Sequence, residues 1–229
     1  MRHENTTHGY RCALASVMLL AGGSVGLAHD LNPPPWRGAQ YSSFAEFTFP
    51  TPMNPVLPNP GAFWGDGAAG PPTLTLDPSF VWEQSLQTWV SGGTNPTAPG
   101  IIEIFMPNWL DNEPIKWVQI QFTWQGNPSQ PPLTPGGPPS ILDIISSPPT
   151  SGGLIGVTPD MVVDPTNGLF HRTELWEIRP NPDFEYIIIG VPVDTAIQQI
   201  VVDTISFPTP GPIGVAGLGL LMAARRRRI

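Results

Sequence analysis

The sequence predicts an all-β protein, an antiparallel β-sandwich with long Pro/Gly loops and a jelly-roll-like order of strands. Three observations predict it. Apolar residues alternate with a period of two along several segments, and helix-period patterns are almost absent. The 31 prolines cluster between the apolar runs, as expected of strands punctuated by long loops. There is no strand–helix alternation of the kind that builds a parallel sheet, so the strands must pair antiparallel in packed layers. The Pro and Gly content approaches that of low-complexity chains. Abundant Trp, Ile and Val, with little Lys and Glu, is the opposite of a disordered composition.

Taken in order, Tyr41 to Phe49 is the expected first strand, with Phe47 and Phe49 on one side. Phe49 to Pro72 is irregular. Val81 to Val90 fits either a short helix or a strand. Ile101 to Met106 reads as a strand with Ile102, Ile104 and Met106 on one face. Ile115 to Trp124 carries the clearest signal. Val118, Ile120, Phe122 and Trp124 fall on one face, predicted to be core. Trp117, Gln119, Gln121 and Thr123 fall on the other, predicted to meet solvent. Asn127 to Ser140 and Ser147 to Gly153 are expected loops. Ile141 to Ile145 and Met161 to Val163 are weaker strands. Phe170 to Arg179 and Phe184 to Ile189 flank Pro180-Asn181-Pro182-Asp183 and read as a hairpin. Gln198 to Phe207, rich in Ile and Val, is the last strand.

Both ends carry targeting patterns. Arg2 and Arg11 form a basic leader, Cys12 to Leu27 is apolar or small, and Gly26-Leu27-Ala28 predicts cleavage after Ala28. Residues 1–28 are therefore an expected secretory signal peptide, and 29–206 the β domain, ordered from about residue 40. The only cysteine, Cys12, falls in the leader, so no disulfide or thiol chemistry is expected in the mature chain. Residues 207–229 combine a proline break, an apolar run from Ile213 to Ala224, and Arg225, Arg226, Arg227 and Arg228. The arginines resist crossing a bilayer and are expected to stay cytoplasmic. As a helix the apolar run spans about 18 Å against a hydrocarbon core of about 30 Å, and arginine snorkelling supplies part of the difference.

This tail, with Pro208, Thr209 and Pro210 ahead of the apolar helix and arginines, resembles the sorting signal of exosortase-processed (PEP-CTERM) exported proteins of Gram-negative bacteria. Thr209 stands where that family has Glu. Pro33-Pro34-Pro35-Trp36-Arg37-Gly38, Trp176-Glu177-Ile178-Arg179-Pro180-Asn181-Pro182 and Ile200-Val201-Val202-Asp203-Thr204-Ile205 are similar to segments of such proteins from planctomycete-like bacteria. The resemblance implies an exosortase-type processing enzyme as partner and transient inner-membrane anchoring by the C-terminal segment. It also implies release to the cell envelope, surface or extracellular matrix. It implies no chemistry.

With both ends removed, Arg37, Lys116, Arg172 and Arg179 face seventeen acidic residues, a net charge of −13. Such a surface repels nucleic acid and anionic lipid and suits neutral polysaccharide or cations. Catalytic signatures are missing: there is no Gly-x-Ser-x-Gly, no His-Glu-x-x-His and no phosphate loop. Only His29 and His171 follow the leader, and His171 reads as an ordinary sheet side chain. Glu174 with Glu177, and Asp183 with Glu185, are the nearest acid pairs, expected on a wet surface and not as a glycosidase pair. No enzyme is read here. Sugar binding needs an aromatic face beside amides. Trp117 with Gln119 and Gln121 fits that need, and Trp64 and Trp109 in loops could add to it. Asp203 and Asp66 are conceivable ligands for a structural Ca²⁺. The expected role is an exported surface or matrix component holding polysaccharide. The alternatives are a structural coat protein without ligand and, further off, a carbohydrate-active enzyme.

Overall fold

The computed structural model describes residues 30–65, 70–93, 98–147 and 149–207. The expected leader (1–28) and all of the expected sorting tail (207–229) except Phe207 lie outside the described residues, as does Asp66. Twelve strands follow in order: β1 (Ser42–Thr48), β2 (Thr73–Leu76), β3 (Phe80–Glu83), β4 (Thr88–Ser91), β5 (Gly100–Pro107) and β6 (Ile115–Gln125). Then come β7 (Ser140–Ser147), β8 (Ser151–Val157), β9 (Met161–Asp164), β10 (Leu169–Arg179), β11 (Phe184–Val191) and β12 (Ala196–Phe207). No helix among the described residues is long and apolar enough to cross a membrane.

Every pairing is antiparallel. The larger sheet runs β3-β4-β12-β6-β10-β8, with β1 extending the β4 side of β12 and β9 the β8 side of β10. The smaller sheet runs β2-β5-β11-β7. The pairs β1–β12, β5–β11 and β6–β10 nest as in a long hairpin folded over on itself, which is the jelly-roll pattern. The eighth member departs from it: β8 joins β10 in the larger sheet and leaves β7 as the edge of the smaller one.

The core lies between the sheets. Val118, Ile120, Phe122 and Trp124 of β6, Ile200 and Val202 of β12, and Ala45 and Phe47 of β1 face Leu74, Leu76, Ile102, Ile104, Met106, Ile187 and Ile189 from the smaller sheet. Full burial of each such aliphatic or aromatic side chain contributes roughly 1.5–3 kcal/mol. The period-two pattern read from β6 is therefore correct on its inner face.

Four expectations need correction. Phe170 to Arg179 and Phe184 to Ile189 are strands, but they do not form a hairpin. Both edges of β10 are taken by β6 and by β8 with β9, and both edges of β11 by β5 and β7. Pro180 and Pro182 have no N–H to donate to a ladder, and residues 180–183 carry the chain from one sheet to the other. Residues 81–90 resolve into two short strands, β3 and β4, joined by a turn and clasped by the Trp82–Trp89 pair, with ring centroids 5.6 Å apart. The expected loop at 147–153 contains the start of β8. At Gly152 a Cβ would lie 2.0 Å from the Glu177 carbonyl oxygen, so only glycine lets β8 approach β10. Finally, the outer face of β6 is not solvated: Trp117, Gln119, Gln121 and Thr123 are all buried.

Truncating Phe122, at the centre of this core, to Ala is expected to lower unfolding free energy by about 3–5 kcal/mol, whereas Leu110→Ala on the surface should change it by less than about 0.5 kcal/mol. Urea titrations of both variants check this; similar midpoints would show that the sandwich interior is not the main source of stability.

Candidate functional site

What covers the outer face of the larger sheet is the segment Asp30 to Arg37, all of which was expected to precede the ordered part of the domain. Pro33, Pro34 and Pro35 restrict its backbone, so little conformational freedom is lost when it docks. Asn32 donates its backbone N–H to Gln121 Oε1 (3.1 Å) and its side-chain Nδ2 to Thr173 Oγ1 (3.2 Å). Gln119 Nε2 donates to the Asn32 carbonyl (2.8 Å). Trp36 meets Trp117 edge to face, centroids 5.6 Å apart, and Trp117 Nε1 donates to Glu177 Oε2 (3.1 Å). The predicted sugar face thus exists as a set of neighbours, but Trp117 is 9% exposed, Gln119 6% and Gln121 1%, because this segment lies on them. The pattern of alternate polar residues was the same for a wet face and a covered one.

Arg37 fixes the segment. Its Nε and Nη2 donate to the two carboxylate oxygens of Asp203 at 2.5 and 2.6 Å, and Nη1 donates to Asp30 Oδ2. Its guanidinium carbon also sits 4.1 Å from the Phe44 ring centroid. Asp203, suggested as a Ca²⁺ ligand, is here the buried acceptor of a bidentate arginine. No group of three or more His, Cys, Asp or Glu that could hold a metal occurs among the described residues. Desolvation pushes the Asp203 carboxyl up to about 6, against the hydrogen bonds and charge of Arg37. For Arg37 desolvation also disfavours the charge, but its bonds to Asp203 and Asp30 and their charges more than offset it, and its pKa is raised. Both pKa values rise, which disfavours the charged form of Asp203 and favours that of Arg37, because Asp203 is far more deeply buried than Arg37. The guanidinium stays protonated at ordinary pH, so only the Asp203 carboxyl titrates.

Several other polar groups under this face are similarly occupied. His171 is buried between Thr123 Oγ1, 3.1 Å from Nδ1, and Thr173 Oγ1, 3.4 Å from Nε2, and burial lowers its pKa despite the charge of Asp30. Its reading as a sheet side chain describes this position. Gln199 Nε2 donates to Glu46 Oε1. The acid pairs differ from expectation: Glu174 is buried and accepts from Trp176 Nε1 (3.2 Å), and Glu185 is wholly enclosed between the sheets. Both carboxyls are raised by desolvation. Glu174 and Glu177 do point to opposite faces of β10, lying opposite Ile120 and Trp117 of β6.

Beyond Arg37 the chain turns twice before β1. Ala39 N–H donates to the Trp36 carbonyl (2.9 Å), and Ser42 N–H and Oγ both donate to the Ala39 carbonyl (3.1 and 2.7 Å). Gly38 has φ 80° and Tyr41 φ 61°. For a bulky residue the left-handed region costs on the order of 1–2 kcal/mol, and such outliers gather at functional sites. These residues form one wall of a recess of about 420 Å³ lined by Gly38, Ala39, Gln40, Tyr41, Ser42, Phe63 and Trp109. That is the size of a small-ligand pocket. Two loops supply the opposite wall. Phe63 is held by paired backbone bonds with Phe44 (2.7 and 3.0 Å), and Trp109 by donation of its Nε1 to the Ser42 carbonyl (2.8 Å). Gly65 lets them meet, since a Cβ there would lie 2.1 Å from the Asn108 carbonyl carbon.

Of the predicted binding residues, then, Trp109 lines the recess. Trp117, Gln119 and Gln121 lie together beneath the covering segment, and half-buried Trp64 follows Phe63 without lining the recess. Sequence reasoning missed Gln40, Tyr41 and Phe63. Tyr41 was counted into the first strand, which begins one residue later; aromatic residues shortly after Gly38 and Gly61 were the signal. Comparison of the chain with known protein families, with curated proteins and with solved structures found no match in any of the three.

Two outcomes are expected from the ion pair. Arg37→Ala leaves Asp203 buried without its partner and should cost about 3–5 kcal/mol, part of which returns in Arg37→Ala/Asp203→Asn. A fully additive double-mutant cycle would contradict the coupling. The pH dependence has a definite sign. Asp203 holds its proton more tightly folded (about 6) than unfolded, so its contribution to stability is largest at low pH and is lost as pH rises from about 4 to 6. Wild-type stability minus that of Asp203→Asn, from urea titrations across this range, should therefore fall by about 2–3 kcal/mol; a flat or rising difference contradicts the burial of this carboxyl.

Proposed function

We propose that this chain is an exported surface or matrix protein that holds polysaccharide, and that the recess between Tyr41, Phe63 and Trp109 is its binding site. The single observation behind this reading is the recess itself: three aromatic side chains beside the exposed amide of Gln40, on a rigid sandwich. The apolar face of a sugar ring stacks on such rings, and an amide bonds its hydroxyls. The acidic balance of the chain favours a neutral glycan over an anionic one. Export rests on the leader at 1–28 and the sorting tail at 207–229, with an exosortase-type enzyme as processing partner. The proposal assigns the chain no enzymatic turnover and leaves Ca²⁺ as an additive to be varied.

One further observation favours the structural-coat alternative. Edge strands β7, β8 and β9 carry Leu142, Ile145, Leu154, Ile155, Val157, Met161 and Val162, each about half exposed. Unpaired strand edges with apolar side chains are the surface a self-associating protein would use.

The test is binding of the purified protein to a panel of bacterial and algal polysaccharides, with and without Ca²⁺, beside Tyr41→Gly. Glycine removes the ring and suits the left-handed backbone, so relief of strain offsets part of the lost contacts and the variant should fold. Saturable binding weakened by about tenfold or more in the variant is the expected outcome, about 1.4 kcal/mol of lost stacking. Absence of binding to every glycan, with concentration-dependent association in sedimentation, would replace this reading by the coat protein.

A further inference from the structure

The apolar core ends in an unusual group of polar residues. Lys116 is the only lysine in the sequence, and none of its surface is exposed. It sits near the start of β6 on the inner face, in line with Val118 and Ile120. Glu185, near the start of β11 on the inner face of the other sheet, is equally buried, as is Asn108, one residue beyond β5. Asn108 Nδ2 donates to Glu185 Oε2 and to the Pro182 carbonyl (3.0 Å). Lys116 Nζ, Asn108 Oδ1 and Glu185 Oε1 are all enclosed and have no hydrogen-bond partner.

A lysine retained only for an ion pair would donate directly to its carboxylate, because an unpaired buried ammonium is among the most costly groups in a protein. Lys116 does not. The acids that act on it are Glu185 and Asp111, and neither forms a bridge to it among the described residues. What lies at this end of the sandwich is an amine, a carboxamide and a carboxyl acid hydrogen-bonded to that carboxamide, all closed off from water. Those are the components of a transamidation.

We propose that Lys116 and Asn108 become joined by an intramolecular amide bond, formed with the help of Glu185. Lys116 Nζ, as the neutral amine, attacks Cγ of Asn108. The new Nζ–Cγ bond forms, the Cγ–Nδ2 bond breaks, and Glu185 carries the proton given up by Nζ to Nδ2. Nδ2 leaves as ammonia, and Glu185 ends in the state in which it began. No oxidant or reductant is needed. Burial prepares both partners. Desolvation lowers Lys116 to about 8 and raises Glu185, against the attraction of each for the other. Each group is moved toward the form the step requires, a free amine and a protonated acid. Exclusion of water protects the intermediate from hydrolysis. The bond would tie the end of β5 in one sheet to the start of β6 in the other.

The test uses the full chain. The protein is unfolded, treated with acetic anhydride and digested with chymotrypsin, and the fragments carrying Asn108 and Lys116 are read by mass spectrometry. The expected result is one joined species, about 17 Da lighter than its two parts for the lost ammonia, with Lys116 not acetylated. Glu185→Gln should restore separate fragments of full mass and an acetylated Lys116. If that variant does not fold, the parent protein decides alone. Full-mass fragments with acetylated Lys116 overturn the proposal. So does a light Asn108 fragment beside acetylated Lys116, which would be a succinimide, and so does a link from Lys116 to Asp111 or Asn181.

Discussion

The contact on which the rest of the surface depends is the bidentate pair between Arg37 and Asp203. Asp203 lies in the middle of β12, between Phe44 of β1 and Gln119 of β6. A carboxylate at that place, once covered, must be matched by donors. Arg37 supplies them from outside the sheet, and with it come Asn32 over Gln119 and Gln121, and Trp36 over Trp117. The turn that follows is then fixed at both ends, by Arg37 on one side and by β1 on the other. Tyr41 is held in a conformation it would not choose alone, and the wall of the recess stands where it does. A buried ion pair is weak evidence of stability, and what this one joins is the covering segment to the centre of β12.

The inner half of the fold was legible because core alternation is a local property. Val118, Ile120, Phe122 and Trp124 can be read as core from seven residues of sequence, and Ile102, Ile104 and Met106 from five. The outer face was not legible, because Gln119, Gln121 and Thr123 satisfy hydrogen bonds equally well with water or with Asn32. The partner that decides between them is far away in the chain: Arg37 and Asp203 are 166 positions apart. The turn at 180–183 was visible as a turn, but turn chemistry does not say whether the next strand pairs with the last or crosses to the opposite layer. Strand β8 was hidden because Ser151-Gly152-Gly153 carries a loop composition, and the reason for glycine there is the approach of β10.

The recess and the three edge strands divide the surface into two kinds. The recess is concave, walled by rings held through backbone bonds, and suited to a rigid ring with hydroxyls. The edges carry half-exposed apolar side chains, with Asp143 on β7 and Asp164 on β9 among them. The two surfaces lie on different strands, so the proposed ligand site and the apolar edges do not compete for the same residues. In a matrix these two properties complement each other, since association at the edges would array the recesses along an assembly.

The polar end of the core carries the last step. A chain with one cysteine cannot form an internal disulfide, so any covalent staple must use other atoms. The segment 108–116 is short, and by loop-closure entropy a link across it restricts the unfolded chain by only about 2–3 kcal/mol. Its larger effect is in the folded state. An unlinked Lys116 requires a buried amine, a carboxamide oxygen and a carboxyl oxygen to go without partners. Linking them replaces a titratable amine and a primary amide by one neutral secondary amide, whose N–H lies where Glu185 already accepts from Nδ2. The proton moves to an ammonia that leaves, and the charge problem leaves with it. Placing the chain's only lysine in the driest part of the sandwich is costly for a simple ion pair and reasonable for a residue consumed once, during folding, to hold two sheets together.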